Sequence, residues 1–480
     1  MLFSILHAGS EIYHATGNEP KFLDGPTSSE YLRTAGSALV TGKYHQARPY
    51  SVEAVFLYGL CKFWRREDTD MESWMIMGVA ARLAMKMGYH RDPRHLKNIS
   101  PFEGEMRRRV FFAVEGLDLV LSFQAGLPAT IHEEDCDTVP PRNLLDTDFD
   151  EDFKALPESR QPIDPTPMLY CKCKLQQMQL LHRVSRHALS CKTPTYEETM
   201  KLDRELHDMH AKIPPIMRIG PLSSTVTENP SVMVNRLNIE LAHLRCVFIL
   251  HRTYLSYDKS NPNFDYSRRK CTEAALQTLN YEAELHSACQ PGRRFYNDKW
   301  IISNLILYDF LLAAMILCLD LYESRNKPTA ASLEELEIQI KKYDALKRSH
   351  MIWTSRKCRY RDAQRASSVL AFMLSKVPRP NIPPTLLDPP QMVQSGLHAL
   401  AHGNNFMEGS NSASYPATEY DSFVHELTMD SLDYSSVDPL NEIFSKSDPI
   451  DWVRPRNSLF VRRLIMTTNV FVESRRSILV

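Results

Sequence analysis

The sequence predicts an all-α fold, and three observations support that prediction. A helix-start pattern, in which a capping side chain precedes Glu by three residues, occurs at Ser100-Pro101-Phe102-Glu103, Thr195-Tyr196-Glu197-Glu198 and Ser332-Leu333-Glu334-Glu335. Apolar residues then recur at spacings of three and four, for example at Val110, Val114, Leu117 and Leu121. Strand patterns are nearly absent, and only 16 glycines occur in 480 residues, as expected where β-turns are few.

The same signals place the individual helices along the chain. Pro101 at the first helical position begins one helix, which Gly126 and Pro128 end. The helix after Thr195 stops before Pro214-Pro215. A further helix begins after Ser332, and periodicity predicts the others over residues 29–47, 51–63, 71–88, 168–190, 232–256, 267–288, 298–322 and 355–376.

Length, charge and cysteine usage limit the function classes. A chain of 480 residues exceeds the size of a single core, so we expect more than one lobe. Lys plus Arg (57) and Asp plus Glu (58) nearly cancel, so no overall positive field attracts nucleic acid or an anionic membrane. Ten cysteines are scattered, with Cys171 and Cys173 the only near pair, which is typical of a reduced intracellular protein. The start MLFSILHAGSEIYH lacks the features of a signal peptide.

The most apolar segment, from Trp300 to Tyr322, is long enough in principle to cross a bilayer. Asn304 and Asp309 lie inside it, and a central Asp costs about 2.5 to 3.5 kcal/mol on the insertion scale. We therefore expect a helix buried within the protein rather than a membrane span.

The composition changes after the last predicted helix. Residues 377–416 begin with the Pro-rich linker PRPNIPPTLLDPP, which cannot continue a helix. Residues 417–452 scatter bulky apolar side chains among acidic ones, which is typical either of an activation tail that folds on a partner or of an ordinary disordered tail. Residues 453–480 carry six Arg and one Glu, and we expect this atypical basic end to be translated intron, a gene-model artefact.

One stretch resembles a known family. SWMIMGVAARLAMKMGYHRDP from Ser73 leads into RRRVFFAVEGLDLVLSFQAGLPATIHEEDCDTVPPRN, which ends at Asn143. This order of Ser-Trp, Gly-Tyr-His-Arg-Asp-Pro, Arg-Arg-Arg, Gly-x-Pro and Asp-x-Asp is similar to the regulatory domain of fungal zinc-cluster transcription factors. LAHLRCVFILHRTYL from Leu241 and YSRRKCTEAALQTL from Tyr266 resemble later elements of that domain. The resemblance assigns residues 1–376 to this domain, with its beginning missing.

The sequence departs from the family pattern at two places. Phe111-Phe112 stand where Trp-Trp is common, a swap that a core tolerates by volume. Leu127 stands where Arg commonly precedes the Pro. The six-cysteine zinc module that reads DNA in the family begins with a CxxC pair, and no CxxC occurs here. We therefore expect no cofactor in this chain, and DNA contact only through a module that the chain lacks.

Two groups of residues could suggest a metal site. Cys171, Cys173, His182 and His187 could be imagined as zinc ligands, but one helix would hold the two thiols on different faces. The acidic run from Asp146 to Asp152 lacks the Gly and Glu of an EF-hand, and its aspartates alternate in a loop instead of sharing a helix face as in diphosphate-metal enzymes. We expect a solvated acidic loop and no metal.

His90 and Arg107 to Arg109 invite a catalytic or phosphate-binding interpretation. A lone His lacks the partners that catalysis requires, so we expect it to fill a helix end. We expect the arginines to pair with Glu103, Glu105 or Glu115. The sequence identifies no catalytic, cofactor-binding or metal-binding residue.

The resemblance implies a nuclear regulator of RNA polymerase II genes that is not an enzyme. Its expected partners are related regulators in a homo- or heterodimer, a coactivator bound by the acidic tail, and a small-molecule effector, with no membrane. One alternative is a helical metal- or diphosphate-dependent enzyme that uses Asp146 and Asp148. Another is a regulator without DNA binding that acts by dimerising with intact relatives.

Overall fold

The computed structural model describes residues 1–15, 25–64, 71–164, 166–188, 190, 194–220, 229–255, 257, 261–296, 304–324, 333–356 and 361–377. These residues form helices joined by short 3₁₀ turns and irregular loops, and contain no β-strand, which confirms the predicted all-α class. The helices are α1 (Leu2–Ala15), α2 (Ser28–Thr41), α3 (Ser51–Trp64), α4 (Met71–Lys86), α5 (Pro101–Ala125), α6 (Pro167–Ala188), α7 (Tyr196–Ala211), α8 (Pro230–His251), α9 (Asp265–Ala288), α10 (Asn304–Ser324), α11 (Leu333–Arg356) and α12 (Arg361–Lys376). The linker, the acidic tail and the basic end lie outside the described residues.

Side chains cap α5 and α7 as the sequence predicts, and the third predicted capping residue, Ser332, lies outside the described residues. At α7, Thr195 Oγ1 accepts the N–H of Glu198 at 3.2 Å, and the Glu198 carboxylate accepts the N–H of Thr195 at 2.9 Å. At α5, Ser100 Oγ accepts the N–H of Glu103 at 3.1 Å. The expected return bond from Glu103 is not formed, because that carboxylate accepts hydrogen bonds from Arg107 instead.

Several boundaries differ from the sequence prediction. The second helix ends at Thr41, six residues early, because the chain turns through Lys43 and Ala47 with positive φ. The first helix, α1, is not among the helices that the sequence predicts. It packs against α2 and α3.

Helix α5 lies between two hydrophobic cores. Phe111, Val114 and Leu121 belong to the first core, with residues of α3 and α4. Phe112, Leu119 and Phe123 belong to the second core, with residues of α6 to α12. The sequence predicted the face of α5 that contains Val114 and missed the opposite face. A helix buried on two sides requires apolar residues around most of its circumference.

Helices α8 and α10 form the centre of the second core. The run from Phe310 to Cys318 is buried, as predicted for this apolar segment. Its Asp309 is fully buried and paired with an arginine of α8. Among the described residues, no helix is long and apolar enough to span a membrane.

Candidate functional site

The Gly-Tyr-His-Arg-Asp-Pro motif folds around the carboxylate of Asp92, which is fully buried in the turn after α4. It accepts hydrogen bonds from Nε and Nη2 of Arg108 at 3.1 and 2.9 Å. It also accepts the N–H groups of Arg94 and Val139. Burial acts to raise the pKa of Asp92, but these donors outweigh it and hold the pKa well below the usual range. The motif is therefore a charged connection among α4, α5 and the loop after α5.

Asp137 of the Asp-x-Asp loop extends this connection. Its carboxylate accepts the backbone N–H of Asp92 at 2.7 Å and Nε of Arg91 at 3.0 Å. Thr138 donates to the backbone carbonyl of Tyr89 at 2.8 Å. The Gly-Tyr-His-Arg-Asp-Pro motif and the Asp-x-Asp loop thus contact each other although about 45 residues separate them.

The three arginines at the start of α5 are structural, and two of them pair as predicted. Arg107 pairs with Glu103, and Arg109 with Glu105, as expected. Arg108 pairs mainly with Asp92, which is not one of the three predicted partners. None of the three pairs with Glu115, which accepts a hydrogen bond from Gln179. Burial raises the pKa of Glu115 to about 7.

The end of α5 is held by a second buried carboxylate. Gly126 adopts φ 66°, the left-handed conformation that ends the helix. Asp118 then accepts the N–H groups of Thr130 and Ile131 at 2.7 and 3.0 Å. The Ser-Trp motif contributes Trp74, whose Nε1 donates to Ser122 Oγ at 3.0 Å. Asp92, Asp118 and Trp74 therefore hold α4, α5 and the adjoining loops together.

The acidic loop is exposed over most of its length, as predicted, and two of its carboxylates also pair with arginines. Asp148 accepts two hydrogen bonds of 2.6 Å from Arg160, which hold the pKa of that carboxyl at about 2. Asp146 pairs with Arg109 at 2.5 Å, although its side chain is 92% exposed. A metal-binding enzyme needs these oxygens free, so the arrangement does not support that alternative.

A second polar network ties α7, α8 and α9 together. His251 lies 3.0 Å from Asp203 through Nε2 and 2.9 Å from Ser267 Oγ through Nδ1. Tyr266 donates its hydroxyl to Asp203 at 2.8 Å. The order Ser, His, Asp resembles a nucleophilic triad, but catalysis needs a hydroxyl that substrate can reach, and Ser267 is 0% exposed. The network is structural.

The cysteines and histidines of the possible zinc site are not brought together. Cys173 is buried in the core, whereas Cys171 is only partly buried. His187 lies 2.9 Å from Thr199 Oγ1, in the contact between α6 and α7. In the described part of the chain, no three His, Cys, Asp or Glu side chains are arranged to hold a metal ion. These residues do not fit a zinc cluster.

A surface groove of about 580 Å³ lies between α2 and α3. One face of α2 forms one wall, and Tyr58 and Lys62 of α3 line the other. Lys62 already pairs with Glu72 at 3.0 Å. The groove contains no group arranged for acid–base or nucleophilic chemistry.

Comparison with known proteins identifies a domain family and several similar transcription factors. Residues 1–239 match the family described as the fungal specific transcription factor domain. The chain is 36% identical to the Zn(2)-C6 fungal-type transcription factor pigI of Monascus ruber, over 77% of this chain and 45% of that protein. It is 36% identical to mpsB of Macrophomina phaseolina, also a Zn(2)-C6 fungal-type transcription factor, over 72% of this chain and 47% of that protein.

A third relative is named for a gene cluster. The equisetin cluster transcription factor eqxF of Fusarium heterosporum is 33% identical over 72% of this chain and 49% of that protein. The chain spans about half the length of these relatives. No solved structure matches the chain significantly. The domain match, the relatives and the order of the signature motifs agree, and the chain belongs to the fungal specific transcription factor domain family.

Proposed function

We propose that this chain regulates transcription by RNA polymerase II of one biosynthetic gene cluster in a fungal nucleus, and that it acts through its helical domain. The observation that carries the proposal is the similarity along about three quarters of the chain to transcription factors, of which several are named for a cluster. The matched family and these relatives are transcription factors and not enzymes.

DNA contact is assigned to a Zn(2)-C6 module like that named in the relatives, not to the helical domain. The chain has a formal net charge of −1, which supplies no overall attraction for phosphates. The domain would instead serve protein and effector binding. Its proposed partners are a second copy or a related regulator, a coactivator held by residues 417–452, and a small-molecule effector.

Deletion of the gene tests this function. In the deletion strain, transcript sequencing should show loss of expression confined mainly to one biosynthetic cluster, and the full-length gene should restore it. A tagged chain should concentrate in the nucleus. A gene lacking the codons for residues 417–452 should produce a nuclear protein that restores expression poorly, if that segment recruits a coactivator. Unchanged transcripts across all biosynthetic clusters would refute the proposal.

Dimerisation needs a separate measurement. The tagged chain should co-purify with an untagged second copy or with a related full-length regulator expressed in the same cells. Sedimentation of the purified chain as a monomer at micromolar concentration, together with no co-purification, would exclude the dimer.

A further inference from the structure

Two arginines lie inside the second core, and only one of them forms an ion pair among the described residues. Arg245 and Arg252 are seven residues apart, so they lie on nearly the same face of α8 and its continuation. They are 1% and 3% exposed. The turn that begins at Arg252 packs against α8, α9 and α10. Both guanidinium groups are therefore inside the helical body.

The charge of Arg245 is paired with a carboxylate, although its Nη1 has no hydrogen-bond acceptor among the described residues. Its Nε and Nη2 donate to the two carboxylate oxygens of Asp309, each at 2.5 Å. The guanidinium also lies 5.7 Å from the ring centre of Phe123, within cation–π range. This pair on its own is electrically neutral.

The charge of Arg252 has no such partner. Its Nε and Nη1 have no hydrogen-bond acceptor among the described residues, and no described carboxylate forms an ion pair with it. Burial lowers the pKa of Arg252 to about 10, so the group still carries its charge at neutral pH. Native proteins rarely bury an unpaired cation, because removing the charge from water is costly.

The surroundings indicate which anion would complement Arg252. Tyr308 and Cys271 are its electrostatic neighbours, and Tyr308 also influences Arg245. Phe123 packs edge to face with Tyr308 at 6.3 Å. The two arginines and Asp309 leave one excess positive charge in an apolar setting. Such a setting suits a planar monoanion with an apolar body better than a dianion such as phosphate.

We propose that Arg252 anchors a buried site for a small organic carboxylate, which neutralises the excess positive charge between α8 and α10. This inference rests on the proposed function in one respect, since it gives the chemical class and the place of the small-molecule effector proposed above. It concerns binding by the purified chain, so a failed transcription experiment would leave it standing.

Thermal unfolding of the purified full chain tests the site with sodium benzoate as the probe and benzamide as its neutral counterpart, at constant ionic strength. Benzoate should raise the Tm by about 2 °C for each tenfold increase above its Kd, and benzamide should not. Equal effects of the two compounds would overturn the proposal.

Variants separate binding from a structural role. Arg252→Met keeps the side-chain volume and removes the charge, so without benzoate its Tm should equal or exceed that of the wild type, and the benzoate shift should vanish. Arg269→Met, which alters a 66% exposed arginine of α9, should keep the full shift. An Arg252→Met protein that is less stable than wild type, or that keeps the shift, would show that Arg252 is not the anchor.

Discussion

Replacement of Asp92 by Asn should be among the most damaging single changes in the signature segment. Asp92 is 0% exposed, and its two oxygens accept from the guanidinium of Arg108 and from groups of Arg94 and Val139. Asn retains one acceptor oxygen and turns an NH₂ group toward donors. Removing one partner of a buried ion pair costs about 3 to 5 kcal/mol, which corresponds to a loss of about 4 to 6 °C in Tm for a helical body of this size.

Circular dichroism at 222 nm during heating measures the change. Asp146→Asn is the matched control, because Asp146 also pairs with an arginine but is 92% exposed, and surface pairs contribute about 1 kcal/mol or less. The double variant Asp92→Asn with Arg108→Met should lose less stability than the two single changes added together, since it leaves no buried charge unpaired. If Asp92→Asn melts within about 2 °C of Asp146→Asn, the buried-pair reasoning is wrong.

Three further predictions concern packing, pH and capping. Leu237→Ala, at a fully buried position of α8, should lower the free energy of unfolding by about 2 to 5 kcal/mol in urea titrations, whereas Leu2→Ala, at a 65% exposed position, should change it by less than about 0.5 kcal/mol. Burial beside His210 and His207 lowers the pKa of His243 to about 3. The unfolded residue takes up a proton near pH 6.5, so the free energy of unfolding should fall by up to about 1.4 kcal/mol per pH unit below that value. His243→Gln should reduce this slope of the free energy of unfolding against pH. Equal slopes for the variant and the wild type would contradict the prediction. Ser100→Ala, which removes the cap of α5, should cost about 1 kcal/mol in the same titrations, and an unchanged midpoint would show that the cap contributes nothing.

The helix starts were predictable because a cap is a local arrangement. Thr195 and Glu198 are three residues apart, so the bonds between them follow from the chain geometry alone. The partner of Arg108 was not predictable in this way. Helical spacing predicts partners within one or two helical turns, whereas Asp92 is sixteen residues away and reaches Arg108 only because the chain turns back after α4.

Helix α5 shows the same limit for apolar residues. Its spacing predicted one buried face, but a second core covers the other side and buries Phe112, Leu119 and Phe123. Similarly, nothing in the order of residues places Arg160 against Asp148 of the acidic loop. These contacts depend on how distant helices pack.

By itself, the sequence determined the helical class, most helix starts and the family resemblance, because helices form through bonds between residues three or four apart and the motifs occur in a definite order. Only the tertiary structure decided which charges are buried and how they are neutralised. Arg245 and Asp309 are 64 residues apart and meet only because α8 and α10 pack together. The same packing leaves Arg252 in the interior without a carboxylate among the described residues. Charge balance in a core depends on neighbours in space, whose identity the local sequence does not specify.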